Sequence, residues 1–373
     1  MALKVLMVGG RRSGKTSALA VMFEQMIHGV TNNFFTIGDA TVYETKGGET
    51  QDTLTKKSTE LKLFLTKPNT KTFLVDSGLT MNDWKYKCKL QLPGTTKSLE
   101  IEYTDVPGEW FRSGTKDNEI NKYVAEHDVF VVMVDTPYLM EASEPMCDAV
   151  NCITDIHTAF THINNNGGKS AKMVVFVPIK CEKWVKEGRI KEVVDKIKLA
   201  YNVPIKALKA YEKMCICILP IETAGNILFR EFKEAFKLNG NLQKDRCCQL
   251  SENKVRMADG TPRPILATDT LNPDMDAVMG TLGIPRPYSW FYADNKSETP
   301  GYAPRNCDQL ALHILKFYVQ KCEKEDAWGG FLGTILSPWV ITKKEMLEKM
   351  AEINAANIVK NDVDGIEYLK KAY

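Results

Sequence analysis

The sequence predicts an α/β fold: a mixed, mostly parallel sheet flanked by helices, with two large insertions and a C-terminal helical extension. Three observations predict it. Short apolar runs rich in β-branched residues alternate with longer runs of helical period, a glycine-rich loop joins the first strand directly to the first helix, and one tight turn joins two extended segments. Alternation of this kind produces a parallel sheet covered by helices, because each crossover packs back onto the sheet. The hairpin makes the sheet mixed.

Leu3 to Val8 is the first strand, and Thr16 to His28 carries the period of the first helix. Residues 31 to 80 form the first insertion, with Thr- and Lys-rich flanks and a helical stretch from Gln51 to Leu65 marked by Leu54, Leu61, Phe64 and Leu65. Its polarity suits a mobile surface segment. Trp84 to Leu92 and Ser98 to Tyr103 are extended and joined by Pro93-Gly94-Thr95-Thr96, which reads as a β-hairpin. Val129 to Val134, Met173 to Val177 and Met214 to Leu219 are further core strands, separated by helical stretches from Met146 to Ile163 and from Glu182 to Ala200. In the first of those, Met146, Val150, Ile153, Phe160 and Ile163 line one face behind a candidate N-cap at Ser143, and the run from Asn164 to Gly168 ends it.

The second insertion, residues 226 to 304, opens on a predicted helix through Phe229, Phe232 and Phe236 and then becomes Pro-, Gly- and Asp-rich, without the composition of an independent domain. Cys307 to Lys321 is the closing helix, and a charged helix near Thr342 to Val359 follows. The domain reading is one elaborated domain over residues 1–322 and a helical extension over 323–373.

The 373 residues are 44% hydrophobic and 26% charged, enough to bury a sizeable core. With 49 Lys and Arg against 47 Asp and Glu, the formal charge is +2, so no basic field gathers nucleic acid. Apolar runs are strand-sized, well below the roughly 20 residues of a membrane span. The N-terminus reads as a strand rather than a secretory signal, position 2 is Ala2, and the C-terminus has no prenylation box. Ten cysteines lack a Cys-x-x-Cys pair and five histidines lack metalloprotease spacing, which argues against zinc and for reduced thiols in a cytosol. The aromatic cluster Tyr288, Trp290, Phe291 and Tyr292 and the segment from Phe331 to Leu336 read as packing or protein-interface features rather than base- or membrane-binding ones.

The chemistry sits after the first strand. Gly9-Gly10-Arg11-Arg12-Ser13-Gly14-Lys15-Thr16 satisfies Gly-x-x-x-x-Gly-Lys-Ser/Thr in full, with Ser17 next in the first helical turn. Such a loop wraps phosphates with backbone N–H groups at a helix N-terminus; Lys15 reaches the β- and γ-phosphates and the Thr16 hydroxyl holds Mg²⁺. The later strands end in Thr104-Asp105-Val106-Pro107-Gly108-Glu109, Val134-Asp135-Thr136-Pro137, Ile179-Lys180-Cys181-Glu182 and Glu222-Thr223-Ala224-Gly225. The fold class is therefore a P-loop NTPase.

In this order the motifs resemble those of the Ras-like branch of P-loop GTPases: a switch threonine, Asp-x-x-Gly, Asn/Thr-Lys-x-Asp and a Glu-Thr-Ser-Ala-like loop. The likeness covers roughly residues 2 to 225 and the helix after Cys307. The wider shape, with Tyr288 to Phe291 and Tyr302 to Gln309 before the closing helix, is similar to that of bacterial double-GTPase proteins, predicted components of defence systems. The resemblance implies a GTP- and Mg²⁺-binding, GTP-hydrolysing switch that controls an effector protein, with a possible homodimer across the nucleotide face. It further implies Thr80 as the switch threonine, with Thr36, Thr41 and Thr72 as alternatives, Asp105 in the metal's water shell, Gly108 at the γ-phosphate, and Lys180, Glu182, Thr223 and Ala224 around the base.

The chain departs from that pattern in three places. Glu182 stands where the family has Asp, and Ile179 where it has Asn or Thr, so ATP remains open beside GTP. Glu109 follows Asp-x-x-Gly, where it either accepts from the attacking water or lies rotated out, and fast hydrolysis is not implied. Arg11 and Arg12 occupy loop positions usually held by small residues; Arg11 serves as a finger in cis, or both merely neutralise phosphate charge. An ATP-hydrolysing enzyme and a nucleotide-bound interaction module with little hydrolysis are the rival readings.

Overall fold

The computed structural model describes residues 3–28, 36–44, 48–49, 59, 72–74, 83–91, 93–95, 97–111, 116–165, 170–233, 235–239, 246–251, 254–256, 262–264, 270–273, 287–293, 302–325, 343–355, 359 and 365–373. In chain order β1 (Leu3–Val8), α1 (Lys15–His28), β2 (Thr36–Glu44), β3 (Gly48–Glu49), β4 (Thr72–Leu74), β5 (Trp84–Gln91) and β6 (Ser98–Asp105) lead to a 3-10 turn at Gly108–Phe111 and α2 (Asp117–Glu126). Then come β7 (Val129–Asp135), α3 (Thr136–Glu141), α4 (Glu144–Asn151), α5 (Ile153–Asn165), β8 (Lys172–Ile179), α6 (Glu182–Lys186), α7 (Ile190–Ala200), α8 (Asn202–Ala210) and β9 (Met214–Ile218). The second insertion holds β10 (Ile227–Lys233), β11 (Ala235–Asn239), β12 (Arg246–Ser251), β13 (Lys254–Arg256), β14 (Pro262–Pro264), β15 (Thr270–Pro273) and β16 (Tyr288–Ala293). The chain ends in α9 (Cys307–Lys324), α10 (Lys343–Ala355) and β17 (Glu367–Lys370).

Two compact units result. One comprises Met1–Thr66, Ser77–Gly225 and Gly301–Tyr373, the other Lys67–Asp76 and Asn226–Pro300. The first is built on a nine-stranded sheet of order β17-β9-β8-β7-β1-β6-β5-β2-β3. Its centre is parallel, with β1 between β6 and β7, then β8 and β9. The predicted hairpin is present as antiparallel β5 and β6. β7 and β8 are buried along their whole length, which is why they read as unbroken apolar runs rather than alternating ones. Parallel pairing brings the C-terminal ends of β1, β6, β7, β8 and β9 to one edge of the sheet, where α/β folds place ligands. Among the described residues no helix is long and apolar enough to cross a membrane.

Several elements differ from the sequence reading. The stretch from Met146 to Ile163 is two helices, because Cys152 takes a left-handed φ of 52° between α4 and α5. Ser143 is at the N-cap of α4, but its side chain makes no capping hydrogen bond. The stretch from Glu182 to Ala200 breaks at Gly188 (φ 69°), where the Arg189 N–H donates to Trp184 O at 2.7 Å and the Gly188 N–H to Val185 O at 3.0 Å. That pair of bonds is a Schellman stop.

The segment with Phe229 and Phe232 is a strand, not a helix. β10 pairs antiparallel with β16, and a bulge between Phe229 and Glu231 lets residues three apart share a face, with ring centroids 5.1 Å apart. The second unit carries a three-stranded sheet, β10-β16-β4, whose β4 comes from the first insertion, and a five-stranded one, β14-β13-β12-β11-β15. Trp290 and Phe291 are buried.

Residues 31–80, read as a surface segment, supply β2, which pairs with β5 and widens the main sheet. The tail is not only helical: β17 adds an antiparallel edge to β9, and Met346, Met350 and Ile353 of α10 join the core. The predicted helix from Gln51 to Leu65, apart from Thr59, and the segment from Phe331 to Leu336 lie outside the described residues.

Candidate nucleotide-binding site

The glycine-rich loop leaves the buried end of β1 and turns into α1. The Ser13 N–H donates to Gly10 O at 3.3 Å and the Ala18 N–H to Gly14 O at 2.9 Å. Gly14 has φ 85°, a conformation L side chains rarely adopt. A Cβ on Gly10 would stand 2.1 Å from Val150 O, so the end of α4 presses directly on the loop. Gly9 is buried, Arg11, Arg12 and Ser17 are half-buried, and the Ser13 hydroxyl is buried with no hydrogen-bond partner among the described residues.

Lys15 curls back over its own loop. Its ammonium donates to Gly9 O at 3.0 Å and Gly10 O at 3.3 Å, and the side chain is buried. The Thr16 hydroxyl donates to Asp105 Oδ2 at 2.7 Å, joining the phosphate loop to the end of β6 across 89 positions. Asp105 is fully buried, and its Oδ1 has no partner among the described residues. Burial pushes its pKa up, while the Lys15 charge and the Thr16 hydroxyl pull it down.

The turn after Asp105 lies on the same loop. A Cβ on Gly108 would meet Arg11 N at 2.3 Å and Gly10 C at 2.4 Å, so the chain has glycine where two backbones touch. Arg11 Nε stands 3.2 Å from Glu109 Oε1. Trp110 stacks on Tyr123 of α2 with centroids 6.4 Å apart, and the Tyr123 hydroxyl donates to Asp83 Oδ2 at 2.5 Å. Tyr123 thereby anchors both the Asp-x-x-Gly turn and the start of β5. Thr80 lies outside the described residues, and for Thr36, Thr41 and Thr72 only the strand backbone is described.

Where the resemblance implies base recognition, Ile179 Cδ1 would stand 2.8 Å from a Cβ on Gly14. An apolar contact thus links the loops where the resemblance implies a polar tie. Lys180 has φ 56°, and its ammonium donates to Asp135 Oδ2 at 2.5 Å. Glu182 is buried and accepts from the Ala224 N–H at 3.2 Å, so that amide, which the resemblance points at a base oxygen, is engaged by Glu182. Burial raises the Glu182 pKa, opposed by backbone amides including those of Ala224 and Gly225 and by the Lys180 charge. Glu222 is pushed up to about 7, first by burial and then by the Glu182 charge, against the pull of Arg305. Thr223 and Ala224 are half-buried in the same loop.

Sequence reasoning gave no role to Asp135, Asn151 or Tyr123, and took Glu222 only as the first residue of the Glu-Thr-Ser-Ala-like loop. Asp135 had a signal: an acid at a strand's C-terminal end before Thr-Pro is a helix N-cap, and it does cap α3. Nothing local marks Asn151 or Tyr123, whose partners are 16 and 40 positions away.

A phosphate loop, an Asp-x-x-Gly turn and the loops after β8 and β9 lie at one edge of this sheet, the arrangement of a P-loop GTPase. The model of the Double-GTPase 2 family matches residues 5–210, more than half of the chain, and the chain belongs to that family. Among solved structures, the GTPase-like domain of S. cerevisiae Ski7, bound to GTP, is similar at 11% identity over 80% of this chain and 76% of that one, with a TM-score of 0.36. No curated protein matches.

Proposed function

We propose that this protein binds GTP with Mg²⁺ and hydrolyses the β–γ phosphoanhydride as a switch controlling a protein partner. The observation that carries the reading is the Thr16–Asp105 hydrogen bond at 2.7 Å, with the second Asp105 oxygen buried and unpartnered beside it. A hydroxyl and a carboxylate at the mouth of a phosphate loop fit a hydrated divalent cation, which neutralises charge on the β- and γ-phosphates.

The chain's own groups do the rest. Lys15 and the amides from Gly10 to Thr16 hold the phosphates, with Gly9, Arg12, Ser13, Gly14 and Ser17 around them. Gly108 lifts from the backbone of Arg11 to meet the γ-phosphate. That motion parts Glu109 from Arg11, leaving the carboxylate to orient water and the guanidinium to stabilise charge. Lys180, Glu182, Thr223 and Ala224 contact the base. A cytoplasmic protein, a homodimer across the nucleotide face and a role in bacterial defence extend the same reading.

The Arg11–Glu109 ion pair favours a second reading, a nucleotide-bound interaction module that hydrolyses slowly, since it engages both groups with each other. Titration calorimetry of GTP, GDP, ATP and ADP with Mg²⁺ into nucleotide-free protein tests the first claim, with Glu182→Ala in parallel. A GTP preference lost in the variant supports it; equal or ATP-preferring binding refutes the guanine reading. Single-turnover hydrolysis by the parent protein then separates switch from module.

A further inference from the structure

Lys180 is held in place by a residue outside the four family motifs. Asp135 is the last residue of β7 and pairs in register with Ile179, so its carboxylate stands beside the next residue of the neighbouring strand. It is fully buried, and its Oδ2 accepts from the Lys180 ammonium at 2.5 Å. Its other oxygen accepts from the Tyr138 N–H at 3.4 Å, and its own N–H donates to Asn151 Oδ1 at 2.7 Å. The carboxylate is thus held by the first turn of α3, and the backbone that carries it by Asn151 at the end of α4. The Lys180 backbone is held at φ 56°, an uncommon conformation for a side chain that is not glycine.

Resting on the guanine reading above, we propose that Asp135 is a positioning residue for base recognition: it anchors the Lys180 ammonium so that the four-carbon stem is laid out in advance as a flat apolar wall for the base. A free lysine carries a large rotamer entropy that stacking would have to overcome, whereas a stem pinned at both ends is ordered before the ligand binds. The anchor acts on the base end alone. Asn151 continues through Val150 to the phosphate loop, but it bonds the Asp135 backbone, which substitution of the carboxylate leaves in place.

The test compares GTP with inorganic tripolyphosphate, which presents phosphates and no base, on the full chain with Mg²⁺. Asp135→Asn keeps the side chain's size and its acceptor for the α3 cap. It is expected to weaken GTP at least tenfold and to change tripolyphosphate less than twofold. Lys180→Met, which keeps an apolar stem and lacks the ammonium, is expected to weaken GTP similarly and to make Asp135→Asn silent in the double variant. Equal weakening of both ligands by Asp135→Asn, or parental GTP affinity in either single variant, overturns the proposal. A parent that binds GTP no better than tripolyphosphate overturns the base reading itself, and the positioning role with it.

Discussion

Gly10→Ala separates packing of the phosphate loop from simple backbone preference. The new Cβ would stand 2.1 Å from Val150 O and 3.1 Å from Cys152 Sγ, while ordinary contact begins at 3.4 Å. The obstruction is main chain, and it cannot swing aside, because the next residue, Asn151, is bonded to the backbone of Asp135 at 2.7 Å. The loop must therefore yield by about 1 Å, and overpacking of this kind costs about 1–3 kcal/mol. Since displacement of the loop misaligns the amides that face the phosphates, the same energy appears as roughly 5- to 150-fold weaker GTP binding. Gly94→Ala is the control. That glycine has φ 74° in the β5–β6 turn with nothing within 4 Å of its Cβ, so the substitution bears only a left-handed backbone cost of about 1–2 kcal/mol. Calorimetric titration with GTP and Mg²⁺, together with thermal melting, reads both effects. Parental GTP affinity in Gly10→Ala, or equal losses in the two variants, would refute the reasoning.

Asp105→Asn removes the charge beside Thr16 and should abolish the gain in GTP affinity that Mg²⁺ provides; a full Mg²⁺ effect in the variant, measured against EDTA, contradicts the metal assignment. Glu222, raised from 4.5 to about 7, favours its protonated form in the fold, so its contribution is complete below pH 4.5 and is lost as pH rises through 7, by at most about 3 kcal/mol. The melting temperature of Glu222→Gln should lack that decline, and parallel curves for parent and variant would count against it. His127 has the opposite sign. Lowered from 6.5 to about 4, chiefly by burial, it stabilises the fold fully above pH 6.5 and loses that contribution as pH falls toward 4; an NMR titration of its ring near pH 6.5 would dismiss the effect.

The sheet was legible where periodicity reported a single environment. β7 and β8 are buried on both faces and read as pure apolar runs, and the β5–β6 hairpin was announced by its turn. The reading failed where one residue changed the geometry. The bulge at Arg230 gave a strand the three-residue spacing of a helix, and a left-handed Cys152 divided a stripe that looked continuous from Met146 to Ile163. Gly188 did signal the end of α6, but the charged run around it retained a helical period on either side. In the site, the motifs located loops; they did not predict how those loops hold one another, because the partners of Asp135 and Tyr123 are set by topology.

Those mutual contacts bear on the departures from the Ras-like pattern. Ile179 touches the phosphate loop at Gly14, Lys180 reaches the end of β7, and Glu182 reaches the loop at Ala224, so each of three neighbouring positions holds a different loop. An apolar contact at Ile179 is nondirectional and fixes spacing without fixing orientation; the directional bonds come from Lys180 and Glu182 instead. The extra methylene of Glu182 supports this division of labour. A carboxylate offers about four acceptor positions; the amides of Ala224 and Gly225 engage part of that capacity, and the remainder suits the N1–H and exocyclic amine of guanine. Adenine presents an unprotonated N1 there, which a carboxylate repels. On the proposed reading Glu182 serves as loop anchor and base reader together, which requires it ionised, and burial pushes its pKa up. On this argument GTP affinity falls as pH is lowered into the titration of Glu182, and tripolyphosphate affinity does not share that fall.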